Sequence, residues 1–445
     1  MEPLRGDERT VGETAVVTRG CRIERGTPRP VLDADTRPTF AWATDSEAIA
    51  ASGAAALVTA DGSSRFADVQ TAAERLFDRC EVPAGLPSAA RPRLFGGFAF
   101  HEGDRDGDDS PWDGFPGAAF FLPELQVTET DGETWLTTTG TGASAETDAD
   151  RLLETWRDRL ADAAASPRAD PPGVDARERT PSQAVWREQV GNALERVDSG
   201  RLQKVVLAQA LRVSLREDLS VPTVLDRLAE TYPDCYRFMF APPGDGTFFG
   251  ATPERLVSLR GRTVRTEALA GSTGRGDTPA EDEWLAAELL DSEKDVHEHQ
   301  LVADAIRDQL EPFASSVRIG ERTVRRLATV QHLRTSITAE LGRDEHVLSL
   351  VEALHPTPAV GGLPPDEALR TIRETEAFDR GWYAAPVGWV DAAGNGTFAV
   401  GIRSAVARDR TATLFAGAGI VADSDPDREW DEVQLKYRPM LDELE

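Results

Sequence analysis

Lysine is almost missing from this sequence of 445 residues: of 49 basic residues only Lys204, Lys294 and Lys436 are lysines. Asp and Glu together number 77, which sets the formal charge at -28. Nucleic-acid binding is excluded by that balance, because a phosphate backbone needs a clustered basic footprint. Abundant acid with lysine nearly eliminated is the composition expected of a chain adapted to a high-salt cytoplasm. It also makes each surviving lysine informative, since a residue type removed almost everywhere else was kept there. Cysteine is scarce as well. Cys21, Cys80 and Cys235 are odd in number and far apart, which argues against a disulfide framework or a cysteine metal cluster. No apolar run reaches the roughly 20 residues that span a bilayer, and Met1 to Arg9 lacks a basic stretch leading into an apolar one. The expectation is a soluble, cytoplasmic protein without membrane contact.

A chain this long can bury a large core in one domain or two. The first third mixes short alternating apolar runs with Gly and Asp turns. Leu94 to Phe100 and Ala118 to Pro123 read as buried strands joined by a polar loop, Gly103 to Asp109. A helix is predicted over about 147–164, with Leu152, Leu153, Trp156 and Leu160 on one face. The Pro-rich stretch 165–173 marks a linker, placed at about 165–180. It divides a β-rich half, 1–175, from a second domain, 176–445. Thr180 and Pro181 then suit the start of a helix to about Val197, with Val185, Val190, Leu194 and Val197 apolar, and Ser199-Gly200 closes it. Lys204 opens a strand through Val213, rich in β-branched residues. A helix over about 221–231 and strands at 236–240 and 247–250 follow. Strands interleaved irregularly with helices indicate α+β, with large antiparallel sheets packed together and helices outside.

The last segment carries the densest chemistry. Ala416 to Val421 reads as a Gly-rich turn entering a helix on which Glu429, Glu432 and Lys436 fall at i, i+3 and i+7, on one face. Asp295 and Glu298 repeat the i, i+3 spacing upstream. Carboxylates so placed suit a hard cation such as Mg²⁺, with no cysteine required and glycines that let backbone approach an anion. Taken singly, either helix reads equally as a solvated acidic face.

Seven blocks settle how these pieces belong together. They are Lys204 to Gln209, Gly250 to Glu254, Thr266 to Ser272, Ser292 to His299, Leu354 to Gly362, Val387 to Trp389 and Gly417 to Lys436. In this order they resemble the chorismate-utilising enzymes, which include the isochorismate, salicylate, anthranilate and aminodeoxychorismate synthases. The resemblance covers about 235 residues and takes in all three lysines. It implies the fold of anthranilate synthase component I, with chorismate as substrate and Mg²⁺ as cofactor. By resemblance Glu298 and Glu432 bind the metal directly, while Asp295 and Glu429 assist through water, on two short facing helices.

The same resemblance distributes the remaining roles. Lys204 corresponds to a base that activates water, for which a neutral amine is needed, and Glu254 to an acid that must hold its proton. Arg403 clamps the enolpyruvyl carboxylate with its planar fork. Gly271, Ser272, His332, Ala359, Tyr383, Gly417, Gly419 and Lys436 bind or line the substrate. His297 and His299 read as surface or supporting residues, and Lys294 as structural. Ammonia-using relatives usually carry Gln at the position of Lys204, and the salicylate and anthranilate branches tend to carry Thr at that of Ala359. The chain is therefore expected to resemble most closely a menaquinone-type isochorismate synthase. The alternatives are a salicylate synthase, an ammonia-using synthase component, and a catalytically silent chorismate-binding subunit. No glutaminase partner is expected, and the assembly should be a monomer or homodimer.

Overall fold

The computed structural model describes residues 4–5, 15–24, 26–34, 36–102, 110–163 and 169–445. The polar loop 103–109 and linker positions 165–168 fall outside them. Among the described residues, 21 strands join in one hydrogen-bonded network. Pairing is antiparallel except where Leu4–Arg5 lies beside Val58 and Thr59, and Val16–Val17 beside Cys80 and Glu81. Helices pack around this network, so the α+β expectation holds.

The two halves of the chain share strands directly. Val387–Asp391 pairs with Arg93–Gly97, and Arg237–Ala241 pairs with Thr39–Ala43. Between them lies an aromatic core containing Phe40, Phe95, Phe120, Phe121, Phe240 and Trp382, each less than 2 % exposed. Trp382 stacks on Phe240 with ring centroids 4.8 Å apart. Offset stacking adds about 0.5–1.5 kcal/mol to what burial alone supplies, so this layer anchors one half to the other.

Three expectations change. Val174–Thr180, read as the end of the linker, is a strand paired with the far part of the Lys204 strand, Thr180 against Ala210 and Ala176 against Ser214. Its charged side chains gave no apolar alternation, and the pairing is supplied by the neighbouring strand's open backbone groups. The next helix runs Gln183–Asp198 and is capped by the Ser182 hydroxyl, which accepts from the Val185 amide, so the cap is not Thr180. Val185 points outward at 43 % exposure while Trp186 is fully buried, so the buried face includes Trp186 in place of Val185 and keeps Val190. The helix predicted over 147–164 is observed as Ala145–Asp162, with Trp156 and Leu160 buried.

Four elements frame the region that matters below. The strand Lys204–Leu215 pairs with Thr411–Ile420, Val206 opposite Gly419 and Ala208 opposite Gly417. Helix Glu293–Leu310 packs on the strand Thr263–Gly274, and helix Pro426–Leu441 packs on Thr411–Ile420. At 18 and 16 residues these helices are full-length elements rather than short ones. Each buries an apolar face, through Val302, Ala303 and Ile306 in one and Val433, Tyr437 and Met440 in the other, and tertiary packing of such faces is what sustains long helices.

Candidate active site

A cavity of about 310 Å³ opens where these elements meet, and every residue singled out from the sequence for a site role lines it. A wider cleft of about 1130 Å³, bounded by Trp112, Phe378 and Arg408, contains none of them. The smaller cavity is the candidate site because its lining is polar, buried and only partly satisfied.

Lys204, the first residue of its strand, is 2 % exposed, and its Nζ donates to Glu298 Oε1 at 2.7 Å. The amine thus has a carboxylate partner as well as a buried surround. For Glu298, burial pushes the carboxyl up. The adjoining Lys204 ammonium, with Lys436 and Lys294 farther off, outweighs that and holds it below its ordinary range. Ala416 to Ile420 proves to be the end of a strand rather than a turn. Its glycines are needed for clearance: a Cβ on Gly419 would lie 2.9 Å from Lys204 Cε, and one on Gly417 would lie 2.9 Å from the Leu207 carbonyl.

Glu254 follows Pro253 at the end of the strand Thr247–Thr252. It is buried, and burial is the main reason its carboxyl is pushed up to about 7, with nearby Glu267 adding to the shift. Thr357 Oγ1 donates to its Oε1 at 3.3 Å and partly offsets the rise. A carboxylic acid that keeps its proton near neutrality is what a general acid requires.

The remaining acids lie on the two long helices. Ser292 caps the first and holds Asp295 through both the Asp295 amide and its carboxylate. On the second, Glu432 pairs with Lys436 at 2.7 Å, and Lys436 also donates to the Gly417 carbonyl at 2.8 Å. Glu429 is pushed up to about 7 by burial and then by neighbouring Glu432. The donor set fits a hard divalent cation in kind, being all carboxylate oxygen with two of its acids pressing their charge on each other. Among the described residues, no three Asp, Glu, His or Cys side chains converge to hold a metal as they stand. Glu298 and Glu432, assigned as direct ligands, each have an ammonium at 2.7 Å instead.

Another part of the lining carries Arg403 and polar atoms left without partners. A register shift at Gly271, whose φ is 75°, brings Ser272 opposite His332, and the Ser272 hydroxyl lies 2.8 Å from His332 Nδ1. A Cβ at Gly271 would also press on Asp295 at 3.2 Å. Burial, then the charges of Arg403 and Lys436, holds the His332 ring well below its ordinary range, and its Nε2 has no partner. Arg403 is 7 % exposed with φ 50°, and its Nη1 is likewise unpartnered. Tyr383 is pushed up to about 12 by burial, so it remains a phenol, and it stacks on Phe415 at 5.3 Å. Ala359 completes the lining. His297 is exposed and lies outside the lining. His299 is buried beneath it, bonded to Thr335 at 2.8 Å.

Sequence reading missed Lys294, set aside as structural but found in the cavity wall, along with Val206, Ile402 and Phe415. The lysine count held the signal for the first. Of the other three, Val206 and Phe415 are apolar residues in apolar strands and Ile402 lies in the connection between two strands, and nothing in their sequence context marks them.

The chorismate binding enzyme profile matches residues 13–445. The salicylate biosynthesis isochorismate synthase of Pseudomonas aeruginosa is 37% identical over 100% of this chain and 94% of its own. The isochorismate synthase MenF of Bacillus subtilis is 37% identical over 80% of this chain and 75% of its own. Among solved structures, the menaquinone-specific isochorismate synthase MenF of Escherichia coli superimposes with a TM-score of 0.82 at 26% identity, covering 97% of this chain and 95% of that one. Anthranilate synthase component I of Streptococcus pneumoniae shares the fold, with a TM-score of 0.72 at 20% identity over 97% of this chain and 93% of that one.

Proposed function

The chain belongs to the chorismate binding enzyme family, and on that footing we propose that it is a menaquinone-type isochorismate synthase, an isomerase that moves the ring hydroxyl of chorismate. The observation that carries the reading is the pairing, in one cavity, of a buried lysine with a carboxyl that keeps its proton to about pH 7. Relatives named as isochorismate synthases support it.

In this reaction water adds at one ring carbon and the hydroxyl leaves from another as water. Lys204 takes the proton of the attacking water, for which its amine must be released from Glu298. Glu254 gives its proton to the departing oxygen, and positioned acid–base groups of this kind contribute roughly 10²–10⁴-fold each. Arg403 and Lys436 receive the substrate carboxylates, and the unpartnered edges of Arg403 and His332 are the donor and ring nitrogen reserved for them. Glu298 and Glu432, with Asp295 and Glu429 assisting, are the residues that would hold Mg²⁺. That cation supplies charge stabilisation to a ring carboxylate. Ala359 in the lining favours isochorismate over onward conversion to salicylate, and Lys204 favours water over ammonia as the nucleophile. No helix among the described residues is long and apolar enough to cross a membrane. We place the enzyme in a high-salt cytoplasm, acting without a glutaminase subunit.

Purified protein incubated with chorismate and Mg²⁺ at high salt and near-neutral pH should yield a chorismate–isochorismate mixture by chromatography. Little pyruvate should form, and ammonium should bring no rate gain. Stoichiometric salicylate and pyruvate, or an amino product, overturns the assignment.

A further inference from the structure

All three lysines of a chain that carries 49 basic residues line the same cavity. Two of them are bonded to acids of its lining. Lys204 faces Glu298 in the buried interior, and Lys436 is held by Glu432 and the Gly417 carbonyl. Lys294 is different. It is the second residue of helix Glu293–Leu310, exposed at the cavity rim, and among the described residues it forms no hydrogen bond or ion pair. Its charge reaches Glu298 and Glu429 without contact with either.

We propose that Lys294 is a substrate-binding residue, its ammonium taking a carboxylate of the incoming dianion at the cavity mouth. This rests on the chorismate reading. A substrate carrying two negative charges must approach a protein of charge -28 and enter a cavity lined by the acids Asp295, Glu298, Glu429 and Glu432. An unpaired cation at the rim offsets the local repulsion and offers a landing point before Arg403 and Lys436 are reached. The chemistry also explains why arginine, the usual cation of this chain, does not stand there. A guanidinium fork bonds two acceptors at once and is more readily held by carboxylates of the lining, whereas a compact ammonium on a flexible stem remains free to turn to a ligand.

The test compares Lys294→Gln, Lys294→Arg and Arg343→Gln with the wild type. The last removes an equal charge from an exposed residue paired only with Glu345, outside the cavity. Steady-state kinetics with chorismate and Mg²⁺, and chorismate dissociation constants from intrinsic tryptophan fluorescence, are measured over a series of salt concentrations. Lys294→Gln should raise KM and Kd roughly tenfold with kcat changed less than about threefold, and it should flatten their salt dependence. Lys294→Arg should raise both by at least about threefold, and Arg343→Gln should leave both in place. A Lys294 variant of either kind that binds like the wild type overturns the inference, as does an equal loss in Arg343→Gln. Wild-type protein that converts no chorismate overturns the functional reading and this inference together, whereas normal conversion with unaltered Lys294→Gln overturns this inference alone.

Discussion

Arg380 and Arg403 stand on neighbouring segments, and both are buried, yet their surroundings differ in kind. Arg380 is fully satisfied. Its Nε donates to Glu376 Oε2 at 2.9 Å, its Nη1 to the Val360 carbonyl at 2.8 Å and its Nη2 to the Val206 carbonyl at 2.7 Å. The guanidinium also lies 4.4 Å from the Phe100 ring centroid, tying the two halves of the chain. Arg403 faces the cavity with an unpartnered Nη1 on a backbone of φ 50°, and burial lowers its proton affinity. Burying a charge without full pairing costs several kcal/mol, and a left-handed non-glycine residue adds about 1–3 kcal/mol. A fold bears such costs where the group is kept for a ligand. The lesson is that a buried charge identifies a site by what it leaves unbonded.

The comparison is strained most by Lys204→Ala, which should cut turnover by roughly 10²–10⁴-fold, with the loss in kcat rather than in substrate affinity. Near-normal turnover by that variant would return Lys204 and its ion pair to the partnered, structural side. Glu298→Gln and Glu432→Gln come next. Each should abolish the Mg²⁺-dependent part of the rate while circular dichroism and Tm stay near wild type, and a variant with an unaltered Mg²⁺ titration would remove its residue from the metal assignment.

Exchanging the two arginines sharpens the contrast directly. Arg380→Gln takes the cation away from buried Glu376, leaving its charge uncompensated beside the Ala208 amide, and should cost about 3–5 kcal/mol of stability in denaturant unfolding. Arg403→Gln should leave stability within about 1 kcal/mol while raising KM for chorismate by roughly 10- to 100-fold. The opposite pattern would erase the distinction between them.

The smallest effect concerns protons. Folded Glu254 titrates at about 7, above the 4.5 of an ordinary glutamate. Between those values the folded state keeps a proton that the unfolded chain has released, so stability falls as pH rises through that window and levels off above it. The group accounts for on the order of 3 kcal/mol of that fall. Urea midpoints at pH 5 and pH 8 should therefore lie closer together in Glu254→Gln than in the wild type. An equal spread in both proteins would show that the carboxyl does not hold its proton.

Read alone, the sequence determined the class of fold, the order of its main elements and the identities of most of the cavity residues. Those signals are local or compositional: β-branched runs, i, i+3 acids, ordered motif blocks and a lysine count of three. The segments misread share another origin. Val174–Thr180 became a strand only because the Lys204 strand offered it partners, and Ala416 to Ile420 looked like a turn because its glycines answer to Lys204 and Leu207 across the sheet. Tertiary structure alone decided which charges were satisfied. Lys204 meets Glu298 94 residues away, Arg380 finds carbonyls on two distant segments, and among the described residues Arg403 Nη1 and Lys294 find no such partners. Hydrogen bonding and desolvation depend on positions in space, and a one-dimensional pattern specifies those only after the chain has packed.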